Sequence, residues 1–335
     1  MMISAKLKKG DTIGIISPSF GGAGMFTHRY EKAVESLTKI GLNVKPATNA
    51  LKSSEYLSSS IQDRADDVHE MFSDPSVSAI ICSIGGNHSN QLLQYLDYDL
   101  IAKNPKPFIG YSDITVLHYA LRKFANLQTF YGPCHITQFG EYPEVLEFTL
   151  NHFVKTLFGR EIGPVTPSRF YTDELLDWTQ KLDLSRARTM TINKGYEWAN
   201  PGYAKGKIIG GCLGSLNHLL GTKYWIDPAR MIFFLDIPES EPGKGMKIPD
   251  VDAYLTDLDN CGVFSVISGL IVGRLYGYTE EEKQLVKSII RRFITGKPYP
   301  VLFDVDLGHT DPMITIPYMT QVEINSANNS FSILN

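Results

Sequence analysis

The chain has few cysteines, little charge of one sign and no long apolar run, and each shortage excludes something. Its four cysteines, Cys82, Cys134, Cys212 and Cys261, lie far apart, with no C-x-x-C pair and no Cys/His cluster at zinc spacing. That excludes a zinc-finger framework and predicts buried free thiols in a reducing compartment. No stretch approaches the roughly 20 apolar residues that a membrane span needs. The opening Met-Met-Ile-Ser-Ala-Lys-Leu-Lys-Lys is charged, with no apolar segment of signal-peptide length behind it. A cytoplasmic location away from membranes is therefore expected. Lys plus Arg total 32 against 36 Asp plus Glu, a formal charge of −4. The pI near 6.1 argues against a nucleic-acid partner held through broad phosphate neutralisation. Gly (28) and Pro (18) are ordinary in number, which excludes collagen-like and low-complexity sequence.

What is present is a globular composition. Of 335 residues, 43% are hydrophobic, ample for a packed core and enough to exclude a disordered chain. The length suits two domains. In the first half, strand-like and helix-like pieces alternate: strands at Thr12 to Ser17, Asn43 to Pro46, Val77 to Ile84, Lys106 to Tyr111 and Gln128 to Tyr131. Between them, helices are expected over residues 27–40 and 61–73, from Asn90 to Leu96, and from Asp113 to Phe124. This alternation predicts an α/β fold with a mostly parallel N-terminal sheet and helices on both faces. The pattern weakens over residues 159–205. Domains are expected over 1–160 and 205–335, joined by a connecting segment at 161–204. The second domain reads as β-rich α/β, with strands at Met231 to Asp236 and Ser268 to Gly273, a helix at Glu280 to Ile294, and a terminal hairpin turning at Asn328-Asn329.

In open parallel sheets, ligands bind beyond the carboxyl ends of strands. Three loops qualify. Ser19 to Gly24 follows the first strand but lacks both the P-loop pattern and the G-x-G-x-x-G order, so it reads as a βα turn or a weak phosphate site. Gly85-Gly86-Asn87-His88-Ser89-Asn90 carries paired glycines whose N–H groups can face a ligand, as an oxyanion hole requires. It reads equally as a tight turn capped by Ser89 or Asn90. Gly110-Tyr111-Ser112-Asp113-Ile114 puts a serine between strand and helix, where a nucleophile elbow sits. Ile114 stands in place of the second glycine of that motif, and a serine there can also be a plain helix cap. A serine nucleophile needs a base, and the base needs an acid. His309, in Gly308-His309-Thr310-Asp311-Pro312, and His88, beside the glycine loop, are the candidate bases. Asp236 ends an apolar run and must be exposed or paired.

The succession SIGGNHSNQLLQYLDYDLI, KPFIGYSDITVLHYAL, KGKIIGGCLGSLNHLLGTKYW, MIFFLD and DVDLGHTDPMITIP resembles the LD-carboxypeptidase family of serine peptidases, most of all its microcin C immunity branch. The resemblance implies a Ser–acid–His triad of Ser112, Asp236 and His309. The N-terminal domain would carry the nucleophile and the C-terminal domain the other two members. The family's acid is a glutamate, so Asp236 is a departure and Glu239 is the fallback acid. Oxyanion donors would come from Gly86 and Asp113, and substrate contacts from Asn87 and Trp178, the latter as a stacking platform for a nucleobase. No metal or organic cofactor is implied, and a homodimer is. The expected substrate is an amide joining an amino acid to a nucleotide-like group. The alternatives are a murein tetrapeptide LD-carboxypeptidase and a non-catalytic binding protein on the same scaffold.

Overall fold

The computed structural model describes residues 5–159 and 161–334. Met1 to Ser4, part of the opening segment considered for a leader, lie outside the described residues. Contacts divide the chain into two units. The first holds the described residues up to 159 with Leu176–Arg188 and Ile314–Pro317; the second holds 161–175, Thr189–Met313 and 318–334.

In the first unit, short runs of Ile, Val and Phe make the strands, because such side chains fill a pleated surface covered on both faces. Asn43–Pro46, Thr12–Ile16, Val77–Cys82, Phe108–Gly110 and Phe130–Tyr131 lie side by side in that order, all parallel. Ile316–Pro317, from far along the chain, adds an antiparallel edge beside Phe130–Tyr131. Ile13, Ile15, Ile81 and Ile109 form a core with Leu37 and Phe153 from the helices Thr27–Lys39 and Glu147–Leu157.

Two expected helices begin differently. Only a single 3-10 turn, Ser89–Leu92, stands where a helix from Asn90 to Leu96 was expected. The helix that follows is Tyr98–Lys103, started by Asp97, whose side chain accepts the Leu100 N–H at 2.9 Å. Likewise Ser112–Ile114 is a 3-10 turn, and the α-helix proper is Thr115–Phe124.

The second unit is built on one eight-stranded sheet. Tyr203–Cys212, Ile232–Asp236, Gly269–Gly273 and Val301–Val305 run parallel at its centre. Gln321–Asn325, Ser330–Ile333 and Gly163–Val165 extend one side antiparallel, and Glu197–Asn200 closes the other. The helix Glu280–Ile294 starts in a capping box between Thr279 and Glu282 and buries Val286, Ile290 and Ile294. The fold is mixed α/β, as its alternating pattern predicts.

All four cysteines are free thiols, but Cys261 is exposed, which corrects the expectation of four buried ones. It sits at the C-terminal end of the helix Ile248–Asn260, where Gly262 turns the chain away. Among the described residues, no helix is long and apolar enough to cross a membrane.

Candidate active site

Ser112 sits just past the carboxyl end of the strand Phe108–Gly110. Tyr111 stays extended, and Ser112 then turns to φ +65°, the left-handed region. That conformation costs an L-residue about 1–2 kcal/mol, so its surroundings must hold it. The Ser112 N–H donates to the Tyr131 hydroxyl at 3.3 Å, and its carbonyl accepts from Thr115 Oγ1 at 2.7 Å. A strained serine between strand and helix is the backbone of a nucleophile elbow. Ser112 is not the plain helix cap, since Ile114 holds that position for Thr115–Phe124.

The glycine loop lies against this corner. A Cβ on Gly85 would stand 2.8 Å from Ser112 Cβ, so only glycine allows the approach. Gly86 and Asn87 are exposed beside it. Asp113 is buried and turns its carboxylate onto the loop: Oδ2 accepts the N–H groups of His88 and Ser89, both at 3.0 Å. The His88 N–H also reaches Ser19 Oγ at 3.0 Å. The turn is therefore held by Asp113 from the next strand's loop, not by the side chain of Ser89 or Asn90. Burial pushes the Asp113 carboxyl up, and the surrounding donors Ser19, Ser89 and His88 oppose the shift. The Ser19 to Gly24 loop is tied to its own unit, with the Phe20 N–H on the Gly85 carbonyl at 3.1 Å and the Ser58 N–H on the Ser19 carbonyl at 2.9 Å.

In the second unit, Asp236 ends the buried strand Ile232–Asp236, opposite Cys212 in the neighbouring parallel strand. Its carboxylate meets His309: Nδ1 lies 2.9 Å from both Oδ1 and Oδ2. Gly308 makes this possible. It adopts φ +87°, and a Cβ there would overlap the Asp236 carboxylate. The loop thus packs directly on the acid, and the shorter Asp reaches the ring. Glu239 stands on the other side, Oε2 3.5 Å from His309 Nε2. Burial pulls the His309 imidazolium down, but the carboxylates of Asp236, Glu239 and Asp311 outweigh it and hold His309 up at about 9.

Trp178 belongs to the first unit, on the segment Leu176–Arg188. The Arg29 guanidinium lies 4.1 Å from the centre of its ring, and Phe26 meets its edge at 5.3 Å. Arg29 is itself anchored on Asp183 at 2.7 Å and on the Ile136 carbonyl at 2.8 Å. Sequence reasoning missed Arg29 and Asp183: the two lie 154 positions apart and Asp183 falls within the weakly patterned segment, so the pair gave no local signal. It also missed Arg64, a buried residue of a polar-looking helix that donates to the Pro18 carbonyl at 2.8 Å and the His88 carbonyl at 3.3 Å. The competing base His88 packs its ring on Tyr56, centroids 4.9 Å apart. Among the described residues, no group of three or more His, Cys, Asp or Glu is placed to hold a metal ion.

Residues 13–132 match the LD-carboxypeptidase N-terminal domain, and residues 205–324 match the LD-carboxypeptidase C-terminal domain. The chain is 31% identical to the microcin C7 self-immunity protein MccF of Escherichia coli, over 99% of this chain and 95% of that protein. It is 29% identical to a probable murein peptide carboxypeptidase of Bacillus subtilis, over 96% and 91% of the two chains. A solved structure of MccF in complex with aspartyl sulfamoyl adenosine superposes with a TM-score of 0.91 at 30% identity, covering 100% of this chain and 99% of that one. Fold and matches together define a hydrolase of the serine peptidase class. The chain belongs to the LD-carboxypeptidase family.

Proposed function

We propose that Ser112, His309 and Asp236 act as the catalytic triad of a carboxypeptidase-type hydrolase that cleaves the amide between an amino acid and a nucleotide-like group. The observation that carries this reading is the buried Asp236–His309 pair, 2.9 Å apart, on the nitrogen that a triad acid must hold. Ser112 Oγ attacks the scissile carbonyl and gives its proton to His309 Nε2. N–H groups of Gly86 and Asp113 stabilise the oxyanion, each worth about 2.7–4 kcal/mol. His309 then protonates the leaving nitrogen, and water, activated by the same imidazole, releases the amino acid from Ser112. Asp236 keeps Nδ1 protonated and offsets the imidazolium charge.

Substrate contacts fall to Asn87, on the exposed glycine loop, and to Trp178. The Arg29 guanidinium fixes the indole in place, which suits a rigid face for a nucleobase. The aminoacyl-nucleotide ligand of the MccF complex supports that choice. A homodimer and a cytoplasmic site of action belong to the same reading, the first tested by light scattering. The murein-directed relative keeps a second reading in play, removal of a terminal D-residue from a tetrapeptide. Purified protein offered aspartyl sulfamoyl adenosine and a murein tetrapeptide in parallel separates the two. Release of aspartate from the first is expected, and cleavage of the murein peptide alone would overturn the preference.

A further inference from the structure

The loop that carries Gly86 hangs between two fixed points. The Gly85 carbonyl accepts the Phe20 N–H at 3.1 Å. At the other end, the His88 N–H is held at 3.0 Å by both Ser19 Oγ and Asp113 Oδ2. Only Gly86 and Asn87 lie between these anchors, so the anchors set where the Gly86 N–H points. A Cβ on Gly86 would stand 2.4 Å from Ser19 Oγ, so only glycine lets the turn lie on that serine. The next peptide unit, His88–Ser89, is gripped on both edges. Its N–H donates to Asp113 Oδ2 at 3.0 Å, and its carbonyl accepts from Arg64 Nη1 at 3.3 Å. Arg64 is 1% exposed and Asp113 3%, so a single peptide unit bridges a buried cation and a buried anion. Arg64 stands in the first turn of the helix Ile61–Ser73. Its other donors reach the Pro18 carbonyl at 2.8 Å, the Ser59 carbonyl at 3.1 Å and Gln91 Oε1 at 2.5 Å. One guanidinium thus joins the segment after the first strand, the start of a helix and the far end of the glycine loop. Burial pulls Arg64 down and pushes Asp113 up, and the Asp113 charge opposes the shift at Arg64.

We propose that Arg64 is a positioning residue for the oxyanion hole: together with Asp113 it locks the His88–Ser89 peptide and so fixes the spacing of the Gly86 and Asp113 N–H groups before substrate arrives. The inference rests on the hydrolase reading above and adds to it a residue that acts only through the loop. Asp113 has two parts in this scheme. Its backbone N–H is one proposed oxyanion donor, and its carboxylate holds the loop that carries the other. Arg64 supplies the opposing charge that lets a buried carboxylate stay ionised there. Preset donors matter most when charge develops on the carbonyl oxygen, so their misplacement falls on the chemical step and not on binding. Removing one member of a buried ion couple leaves the other charge unpaired, whereas replacing both leaves a neutral site. Stability and catalysis therefore separate when both are replaced: the buried charge is gone, and the alignment is still lost.

The test uses the full chain and whichever of aspartyl sulfamoyl adenosine and the murein tetrapeptide the wild type cleaves. Arg64→Met, Asp113→Asn and the double variant are compared by urea unfolding and steady-state kinetics. Each single substitution should lower the unfolding midpoint, and the double variant should be more stable than either. Arg64→Met should lower kcat by about a hundredfold while KM changes by about twofold at most. The double variant should stay as slow as the slower single one. A merely structural role would instead bring kcat back along with stability. Recovery of kcat in the double variant would overturn the proposal, as would wild-type kcat in Arg64→Met. A double variant no more stable than the singles would overturn it too. If Arg64→Met does not fold, a folded but slow double variant supports the proposal, and a folded one with wild-type kcat overturns it. Failure of the wild type to cleave either substrate would overturn the hydrolase reading itself, and the role of Arg64 with it.

Discussion

Gly308 decides whether Asp236 can do the work of a longer acid. The glycine sits at φ +87° with the carboxylate where a Cβ would go. Gly308→Ala should lower stability by at least the about 1–2 kcal/mol of left-handed strain, and lower kcat by pushing His309 off Asp236. Urea unfolding and turnover measure the two effects. Ser112 shows the opposite balance. Its φ of +65° is strain kept at a chemical position, so Ser112→Gly should abolish hydrolysis while raising the unfolding free energy by about 1 kcal/mol. Asp236→Asn should reduce kcat by on the order of 10⁴, as expected when the triad acid no longer fixes the tautomer. The pH behaviour follows from His309, held up at about 9 against an ordinary value of 6.5. Its raised folded-state value means that its contribution to stability is full below about 6.5 and is lost as pH rises through about 9. The same protonation should make kcat/KM climb with pH toward about 9, because the free protein's base is largely charged below that. Comparison of urea unfolding for wild type and His309→Gln across this range isolates the residue's part.

At the scale of elements, the loop Gly85 to Asn90 is held from outside itself. Asp113 accepts two of its N–H groups, and no cap from the loop replaces them. Asp113→Ala should therefore take the acceptor from the buried Ser89 N–H, at about 1–3 kcal/mol, and leave the His88 N–H to Ser19 Oγ alone. It should lower kcat more than it changes KM, since the loop carries the proposed oxyanion donor Gly86. Thermal unfolding and steady-state kinetics check both. Elements whose signals are local were legible in the sequence. The helix Glu280–Ile294 has its capping box and apolar face written within 16 residues, and the strand Ile232–Asp236 is a continuous apolar run. The first turns after Ser89 and Ser112 were not legible. Their start depends on a left-handed serine and on a carboxylate from another loop, and neither leaves a mark in periodicity.

At the scale of the whole molecule, the chain alternates between its units in ways that composition does not announce. Ile314–Pro317 leaves the second unit's run of sequence to pair with Phe130–Tyr131, and Leu176–Arg188 brings Trp178 to Arg29. Such placements come from contacts between residues more than a hundred positions apart. The candidate triad was legible as residue types in ordered motifs; the partnership of Glu239 with His309 Nε2 was not, because spacing alone left Glu239 as a rival acid. Trp178→Ala should raise KM for an aminoacyl sulfamoyl adenosine by about tenfold, for the loss of one stacked base, with a smaller effect on kcat. The central claim is that Ser112 is the nucleophile of an amide hydrolase. The most direct measurement is turnover of aspartyl sulfamoyl adenosine by wild type and by a folded Ser112→Ala variant. Release of aspartate by the first and none by the second is the expected result; near wild-type turnover by Ser112→Ala would contradict the account.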